Sequence, residues 1–301
     1  MVTIAYINYW SGDCNTHYLT NFIKYHTKSD IQIVHHTSNP DFLIASVFNN
    51  PNAVENAKRF NAKCKIFYTG ENTTLGPFST YNNIDNLKTS FDIVIGFFNN
   101  NLEKNVIQLP FWITKYNYYD FNENDNIISY IENRYNTNKK CEKTIKGSLI
   151  ASHDKQGHRT RICKVFEKYY NIEYSGSFKN NVKKIPDGDE NKINYLKNCL
   201  FNICPENSFA DNYITEKLFQ AFEGGCIPIY SGEVNPNKNI ILEHKYIYCN
   251  SRSTENIEEN IKKGLENIDN LINGDKLFKP EASLYISSCY DNLKNAILKY
   301  V

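Results

Sequence analysis

Three side chains that could act on a phosphate or a sugar, Tyr213, Glu216 and Lys217, follow a predicted strand in the segment 201–232. Their spacing of i, i+3 and i+4 predicts one shared face on a helix that begins at Tyr213. In open α/β sheets ligands bind at the carboxyl ends of the strands, and a helix N-terminus there favours an anion. Lys217 would supply a point charge for phosphate, and Glu216 would accept from sugar hydroxyls. The alternative is an amphipathic helix whose Glu and Lys are only solvated.

Two other charged residues stand where catalysis could use them. Glu71 follows a predicted strand beside Gly70, which suits an exposed general base, although a lone loop glutamate can equally be a solvated charge. Arg159 lies in the first turn of a predicted helix, where a cation opposes the helix dipole unless an anion is bound. Arg161 is the rival for that role. His153, at a predicted strand end, is a secondary candidate for a base.

Metal ligation is a poor interpretation of the sequence. Asp187-Gly188-Asp189 has the form of a D-x-D metal motif, but it follows Pro186 and precedes a predicted helix, where aspartates act as turn and cap residues. The nine cysteines are odd in number, widely spaced and never form a C-x-x-C pair. We therefore expect no metal and no cofactor, and reduced thiols in a cytoplasmic compartment.

The elements that must position these residues alternate between strands and helices. Strand-like runs separated by helix-sized segments predict βαβ units and mostly parallel sheets. Strands are predicted at 2–7, 31–36, 41–46, 65–70 and 91–97, and then at 148–153, 171–176, 199–206, 226–232 and 245–250. Helices are predicted at 18–25, 158–170, 190–197, 213–223, 254–270 and 281–301. The polar segment 120–146 predicts a linker, so the fold class is α/β with two Rossmann-like domains facing a central cleft.

Composition excludes several classes of protein. The chain has 301 residues, of which 41% are hydrophobic and 22% charged, which is typical of a globular protein rather than a disordered one. Lys and Arg total 34 against 33 Asp and Glu, so the chain lacks the excess of positive charge that would attract nucleic acid. We expect no transmembrane segment and no signal peptide. The amphipathic stretch 282–300 predicts docking across the domains, with peripheral membrane contact as the alternative.

The segment with the candidate chemistry is similar to the signature of the α-1,3-fucosyltransferases, glycosyltransferase family 10. The resemblance rests on three blocks at fixed spacing: Glu206-Asn207-Ser208, Tyr213-Ile214-Thr215-Glu216-Lys217, and Gly225-Cys226-Ile227-Pro228-Ile229-Tyr230 with Gly232. Weaker similarity extends to both halves of the chain. It includes Asn8-Tyr9-Trp10, Phe67-Tyr68-Thr69-Gly70-Glu71-Asn72, and Arg159 upstream of Ser175-Gly176-Ser177.

The resemblance implies a GT-B fold and a division of labour between its domains. Residues 1–140 would form an acceptor-binding Rossmann-like domain, and residues 141–301 a GDP-sugar domain with C-terminal helices. The implied reaction moves L-fucose from GDP-fucose to a glycan hydroxyl with inversion, as an α-1,3 linkage to a GlcNAc-type sugar. Another GDP-sugar or acceptor on the same scaffold, or a non-catalytic glycan- or nucleotide-binding protein, are the alternatives.

Residue roles follow from the same resemblance. Glu71 would be the catalytic base. Arg159 and Lys217 would stabilise the departing GDP, Glu216 would hold the ribose, and Asn207 and Tyr213 would shape the donor pocket. Because cations take over the charge stabilisation, the resemblance implies no metal.

Overall fold

The computed structural model describes residues 1–10, 12–49, 52–98, 105–122, 125–232 and 240–301, and the chain divides into two compact units. The first unit contains Met1–Phe121, Ala210–Tyr213 and Tyr285–Val301. The second unit contains Asn122–Phe209 and Ile214–Leu284. Each unit is built around its own parallel sheet, so the predicted α/β class is confirmed.

Strands and helices alternate along most of the chain. The strands are β1 Val2–Ile7, β2 Ile31–Ile33, β3 Phe42–Ala45, β4 Cys64–Tyr68, β5 Ile93–Gly96, β6 Val106–Gln108, β7 Ile145–Leu149, β8 Ile172–Tyr174, β9 Cys199–Ile203, β10 Ile227–Tyr230 and β11 Ile247–Tyr248. The helices are α1 Tyr18–Thr27, α2 Ala53–Arg59, α3 Ile84–Lys88, α4 Ile127–Asn138, α5 His158–Phe166, α6 Asp189–Leu196, α7 Lys217–Glu223, α8 Thr254–Glu266, α9 Ile268–Ile272 and α10 Glu281–Ile297. Among the described residues, none of these helices is long and apolar enough to cross a bilayer.

The sheet of the first unit has the strand order β2-β1-β3-β4-β5-β6, and the pairs are parallel. Every residue of β3 and β5 is buried, because both faces of a parallel sheet are covered. Leu43, Phe67 and Val94 share one hydrophobic cluster with α2 and α3. The carboxyl ends of β1, β3 and β4 therefore open at one edge of the sheet.

The sheet of the second unit has the order β11-β10-β9-β7-β8, again with parallel pairs. Strands β7 and β9 are neighbours although β8 lies between them in sequence, so the strand order reverses there. At such a topological switch point the loops after the two strands diverge and leave a crevice for a ligand. The loops after β7 and β9 carry Arg159, Asn207, Glu216 and Lys217 towards or into the helices that follow.

The observed division of the chain differs from the predicted boundary between residues 140 and 141. The first crossing lies between Phe121 and Asn122, because α4 packs with α7 in the second unit, where the Tyr135 and Phe222 rings meet edge to face at 6.1 Å. The end of the chain, from Tyr285, belongs to the first unit instead of the second. There Tyr290 is buried and its ring lies 6.4 Å from that of Phe22.

The segment 120–146 is not a plain linker, because it contains the twelve-residue helix α4. Asn126 caps this helix by accepting a hydrogen bond from the backbone N–H of Ser129 at 3.0 Å. Ile127, Ile131 and Tyr135 are buried at spacing i, i+4 and i+8. The many polar residues of α4 obscured this stripe in the sequence.

The helix predicted from Tyr213 begins only at Lys217. Tyr213 lies in the first unit, where its ring meets that of Phe97 at 5.3 Å, and Thr215 binds the Glu206 carboxylate. These contacts hold residues 213–215 outside the helix. The predicted shared face of Tyr213, Glu216 and Lys217 on one helix is therefore wrong, and no helix begins at Tyr213.

Candidate active site

Arg159 sits at the switch point of the second unit. It is buried, and its guanidinium bridges the two loops there, donating to the backbone oxygen of His153 after β7 and to Asn207 Oδ1 after β9, the latter at 2.5 Å. Arg161 points elsewhere, since its Nε donates to the Ser251 oxygen at 2.6 Å and its Nη2 lies 2.8 Å from His158 Nδ1. Of the two rivals, Arg159 is the arginine that reaches the loops at the switch point.

Asp154 fixes the start of α5 and thereby places Arg159. Its carboxylate accepts from the backbone N–H groups of Arg159 and Thr160, at 3.2 and 2.8 Å, and from Thr160 Oγ1 at 2.7 Å. Burial alone would raise the pKa of Asp154, but the hydrogen bonds from Thr160 and Arg159 lower it by a larger amount. The pKa of this carboxyl is therefore below its usual value. An ionised Asp154 therefore holds the first turn of α5 at neutral pH.

Glu206 is the centre of the second loop. Its side chain has no exposed surface and accepts from Thr215 N–H at 2.8 Å, Thr215 Oγ1 at 2.6 Å and Tyr230 Oη at 3.1 Å. The ammonium of Lys217 lies 3.3 Å from Glu206 Oε2. Sequence reasoning quoted Glu206 as part of the motif but gave it no role. An acid directly after a buried strand was the available signal, because such a carboxylate must find donors inside the fold.

Lys217 is held as a cation among these groups. Its Nζ donates to Thr215 Oγ1 at 2.8 Å and lies 3.8 Å from Glu216 Oε1. Burial lowers the pKa of Lys217, but the charges of Glu216 and Glu206 outweigh it and raise the pKa overall, while the Arg159 charge opposes them. The charge of Arg159 therefore acts on Lys217, so the two cations lie near each other at this edge of the sheet.

Lys192 is a third cation that the sequence analysis did not identify. Its Nζ donates to Gln220 Oε1 at 2.5 Å, and Gln220 Nε2 donates to Asp189 Oδ1 at 2.9 Å. Burial lowers the pKa of Lys192, and the charge of Lys217 lowers it further, against the charge of Glu216. Lys192 therefore belongs to the same electrostatic neighbourhood as Glu216 and Lys217.

Lys192 lines a cavity of about 270 Å³ at the carboxyl ends of β7 and β8. Asp187 and Asp189 also line it, with the Ser175-Gly176-Ser177 turn. Asp189 opens α6, and Gly188, rather than an aspartate, occupies the N-cap position. Within the described ranges, no group of three or more His, Cys, Asp or Glu side chains is arranged to hold a metal ion.

Glu71 lies in the first unit, three residues after the end of β4. It is half-buried, and its backbone N–H donates to Thr69 Oγ1 at 3.0 Å. Tyr213 is in the same unit and is buried against Phe97 and Ala210. The structure therefore brings Arg159, Asn207, Glu216 and Lys217 together in the second unit and places Glu71 and Tyr213 in the first.

The chain has two α/β units, each with a parallel sheet, and the second unit has Arg159 and Lys217 near its switch point. Two such units are the architecture of the GT-B glycosyltransferases. Solved structures of an α1,3-fucosyltransferase share it. One without a named ligand aligns over 99% of this chain and 90% of its own, with a TM-score of 0.68 and 18% identity. Another, with GDP-fucose, aligns over 98% of this chain and 90% of its own, with a TM-score of 0.64 and 16% identity. The predicted GT-B fold is confirmed.

Sequence comparison also matches the chain to fucosyltransferases. Residues 137–270 match the model described as glycosyltransferase family 10 (fucosyltransferase) C-term. The whole chain is 24% identical to the alpha-(1,3)-fucosyltransferase FucT of Helicobacter pylori, across 98% of this chain. It spans 60% of the length of that relative. The resemblance to family 10 that the motifs predicted is confirmed.

A shorter match agrees with this result. The human 4-galactosyl-N-acetylglucosaminide 3-alpha-L-fucosyltransferase 9 is 38% identical over 61 residues, which are 20% of this chain and 17% of the human protein. Identity is therefore concentrated in a short stretch, whereas similarity to the bacterial relative extends over nearly the whole chain.

Proposed function

We propose that this chain transfers L-fucose from GDP-fucose to a hydroxyl of a glycan acceptor, with inversion, as an α-1,3 linkage to a GlcNAc-type sugar. The observation that carries the proposal is the pair of cations Arg159 and Lys217 at the switch point of a family 10 domain, each fixed by hydrogen bonds to neighbouring side chains. Preorganised cations stabilise a diphosphate leaving group best, because they need no rearrangement when charge develops. GDP-fucose is the ligand named for a similar solved structure.

The proposed reaction is a single displacement. The acceptor oxygen forms a bond to C1 of fucose while the bond from C1 to the diphosphate oxygen breaks. The proton of the acceptor hydroxyl passes to the Glu71 carboxylate. The negative charge that grows on GDP is met by Arg159 and Lys217, with Lys192 as an additional cation. Asn207 orients Arg159, Glu216 holds the ribose, and Tyr213 shapes the donor side.

We also propose that this chemistry needs no metal and no cofactor. Lysine and arginine side chains of the chain would stabilise the charge on the leaving group, as a divalent ion does in metal-dependent enzymes. Transfer measured in excess EDTA should stay within about twofold of the untreated rate. Complete loss that manganese restores would assign Asp187 and Asp189 the metal role that we reject.

A donor screen by calorimetry tests the assignment. GDP and GDP-fucose should bind, and GDP at about 100 times its Kd should raise the free energy of unfolding by ~2.7 kcal/mol. UDP should give no such stabilisation, and equal stabilisation by UDP would contradict the guanine donor. Binding of GDP-fucose without transfer to any N-acetyllactosamine-type acceptor would favour the non-catalytic alternative, and transfer from GDP-mannose would favour another GDP-sugar.

The cytoplasmic location also remains our proposal. All nine cysteines are free thiols, and seven of them are buried. Thiols packed as small hydrophobic groups suit a reducing compartment. Thiol counting on protein isolated from its native source should find nine free thiols, and any disulfide would contradict this placement.

A further inference from the structure

Seven rings gather at the carboxyl edge of the sheet in the first unit, and we name them the ring cluster. Its members follow β1, β3, β4 and β6 or flank them: Tyr6, Tyr9, Trp10, His17, Phe48, Tyr68 and Phe111. Trp10 is at its centre, with ring centroids 4.8 Å from Tyr9, 4.9 Å from Phe48 and 6.4 Å from Phe111. The proposed reaction assigns no role to these rings.

The ring cluster has a partly exposed side. Tyr68 is buried, whereas Trp10, Phe48 and Phe111 are only half-buried. The planes of Trp10 and Phe111 are tilted by 31° to each other. Two partly exposed aromatic rings at the end of a sheet offer an apolar surface to a ligand.

This surface adjoins the proposed base. The Phe111 ring packs directly on Gly70, where a Cβ would lie only 2.3 Å from Phe111 Cδ2. Glycine is therefore required there, and the backbone that leads into Glu71 rests on the ring. Tyr68 is also near Glu71: burial raises the pKa of Tyr68, and the negative charge of Glu71 adds to that shift.

The ring cluster stays uncharged because His17 stays neutral. His17 Nδ1 accepts from the Leu19 N–H at 3.3 Å and caps α1, and its Nε2 lies 2.6 Å from Tyr9 Oη. With Nδ1 as acceptor, we assign the proton to Nε2, which donates to Tyr9. Burial lowers the pKa of His17 to about 4, so the imidazole is neutral at physiological pH.

We propose that Trp10 and Phe111 form the acceptor subsite, on which the apolar face of a pyranose ring stacks so that a hydroxyl at its edge reaches Glu71. A pyranose fits because one face presents C–H groups while its edge carries hydroxyls, which matches an aromatic surface bordered by a carboxylate. An apolar peptide or lipid would have no hydroxyl to donate to the Glu71 carboxylate. This inference rests on the proposed function, since it identifies Glu71 as the group that meets the acceptor.

The chain contains a built-in reporter for this subsite. It has two tryptophans, and Trp112 is fully buried, so Trp10 is the one that a ligand can reach. Titration of the full chain with N-acetyllactosamine, without donor, should change the intrinsic fluorescence saturably. The Trp10→Phe variant, which keeps a ring, should lose the signal while binding seen by ligand-observed NMR persists. This arm measures acceptor binding without any transfer.

Kinetics test the stacking itself. Trp10→Ala and Phe111→Ala should each raise the acceptor KM about 3- to 30-fold, while the Kd for GDP by calorimetry changes less than twofold. Tyr25→Ala removes an exposed ring outside the ring cluster and should leave both constants unchanged. Should the alanine variants fail to fold, Trp10→Phe and Phe111→Leu provide a milder series, in which the leucine variant should weaken the acceptor more.

The outcomes separate the two proposals. Normal acceptor KM in folded Trp10 and Phe111 variants, or an equal loss of GDP affinity, would overturn the subsite. Saturable, Trp10-dependent acceptor binding in a chain that transfers no fucose would leave the subsite standing and refute the transferase. Fluorescence changes with detergent micelles but not with the disaccharide would assign the surface to lipid instead.

Discussion

Lys217 in the second unit is paired with the buried carboxylate of Glu206, and Arg159 donates to Asn207, whereas Glu71 in the first unit is half-buried beside aromatic rings. The second unit fixes its site by hydrogen bonds to Glu206 and Asn207. The first unit surrounds its site with packed rings that carry no charge. A multiply charged leaving group demands fixed charges, while a sugar acceptor demands mainly shape and one base.

This contrast has a consequence for how freely each unit can change in sequence. Each buried charge in the second unit needs a specific donor or acceptor at a specific position, since an unpaired one is costly. The hydrogen-bonded site lies within residues 137–270, which match the family model. Ring packing tolerates exchanges of similar volume, so the first unit can diverge while it keeps its shape.

Removal of the proposed base should have the largest effect. Glu71→Gln keeps the shape of the side chain but cannot take the proton, so kcat should fall by about 10²–10⁴. The Kd for GDP, measured by calorimetry, should stay within twofold because the donor site lies in the second unit. Glu55→Gln, on the exposed face of α2, is the matched control and should be neutral. A near wild-type kcat in Glu71→Gln would remove Glu71 from the mechanism and make His153 the next candidate.

Loss of the buried carboxylate in the second unit should follow in size. Glu206→Gln leaves Lys217 without its buried charge partner, so the free energy of unfolding should fall by ~3–5 kcal/mol in urea titrations. Glu190→Gln breaks an ion pair whose carboxylate is 68% exposed and should cost at most ~1 kcal/mol. Equal losses in the two variants would mean that Glu206 is no more than a surface acid.

The leaving-group cation should matter for binding as well as for rate. Lys217→Ala removes a charge-assisted contact worth ~1.5–3 kcal/mol, so GDP should bind about ten- to a hundredfold more weakly and kcat should also fall. Lys263→Ala on α8 removes an exposed lysine as the control. Calorimetry and a transfer assay on the same preparations measure both quantities. Wild-type affinity for GDP in Lys217→Ala would break the distinction between the two units.

The smallest effect concerns pH and the uncharged rings of the first unit. The pKa of His17 is lowered from 6.5 to about 4 by burial, so protonation opposes folding. Its contribution to stability is complete above pH 6.5 and is lost as the pH falls through 4, by ~1–3 kcal/mol. In His17→Gln, the free energy of unfolding should therefore depend less on pH between 6.5 and 4. Urea unfolding at several pH values measures this dependence. An unchanged slope would show that His17 titrates normally and that the ring cluster does not exclude its charge.

The sequence predicted the strands well because buried parallel strands are short apolar runs, as in β1, β4 and β10. It failed where tertiary contacts override local pattern. Helix α7 begins at Lys217 because Thr215 binds Glu206 and Tyr213 packs with Phe97, and neither partner is visible from local spacing. Lys192 was missed for the same reason, since its neighbours Gln220 and Glu216 are distant in sequence.

The candidate site was predictable only through the motif. Arg159 and Lys217 are brought to one edge by the switch between β7 and β9, a feature of strand order that no single segment encodes. From the sequence alone, this strand order could be predicted only through the resemblance to a family of known fold. Three members of the ring cluster, Tyr9, Trp10 and Tyr68, lie in the resemblance blocks, but no local pattern predicted that they meet Phe48 and Phe111.

The return of the chain to the first unit at Tyr285 has a consequence for biosynthesis. Ribosomes deliver the N-terminus first, and domains generally fold as units while they emerge. The first unit cannot follow that order, because Tyr290 and Leu293 of α10, both buried there, are made after the whole of the second unit. The second unit, whose residues extend to Leu284, is therefore complete in the nascent chain while the first, begun earlier, still lacks the part of α10 that it buries.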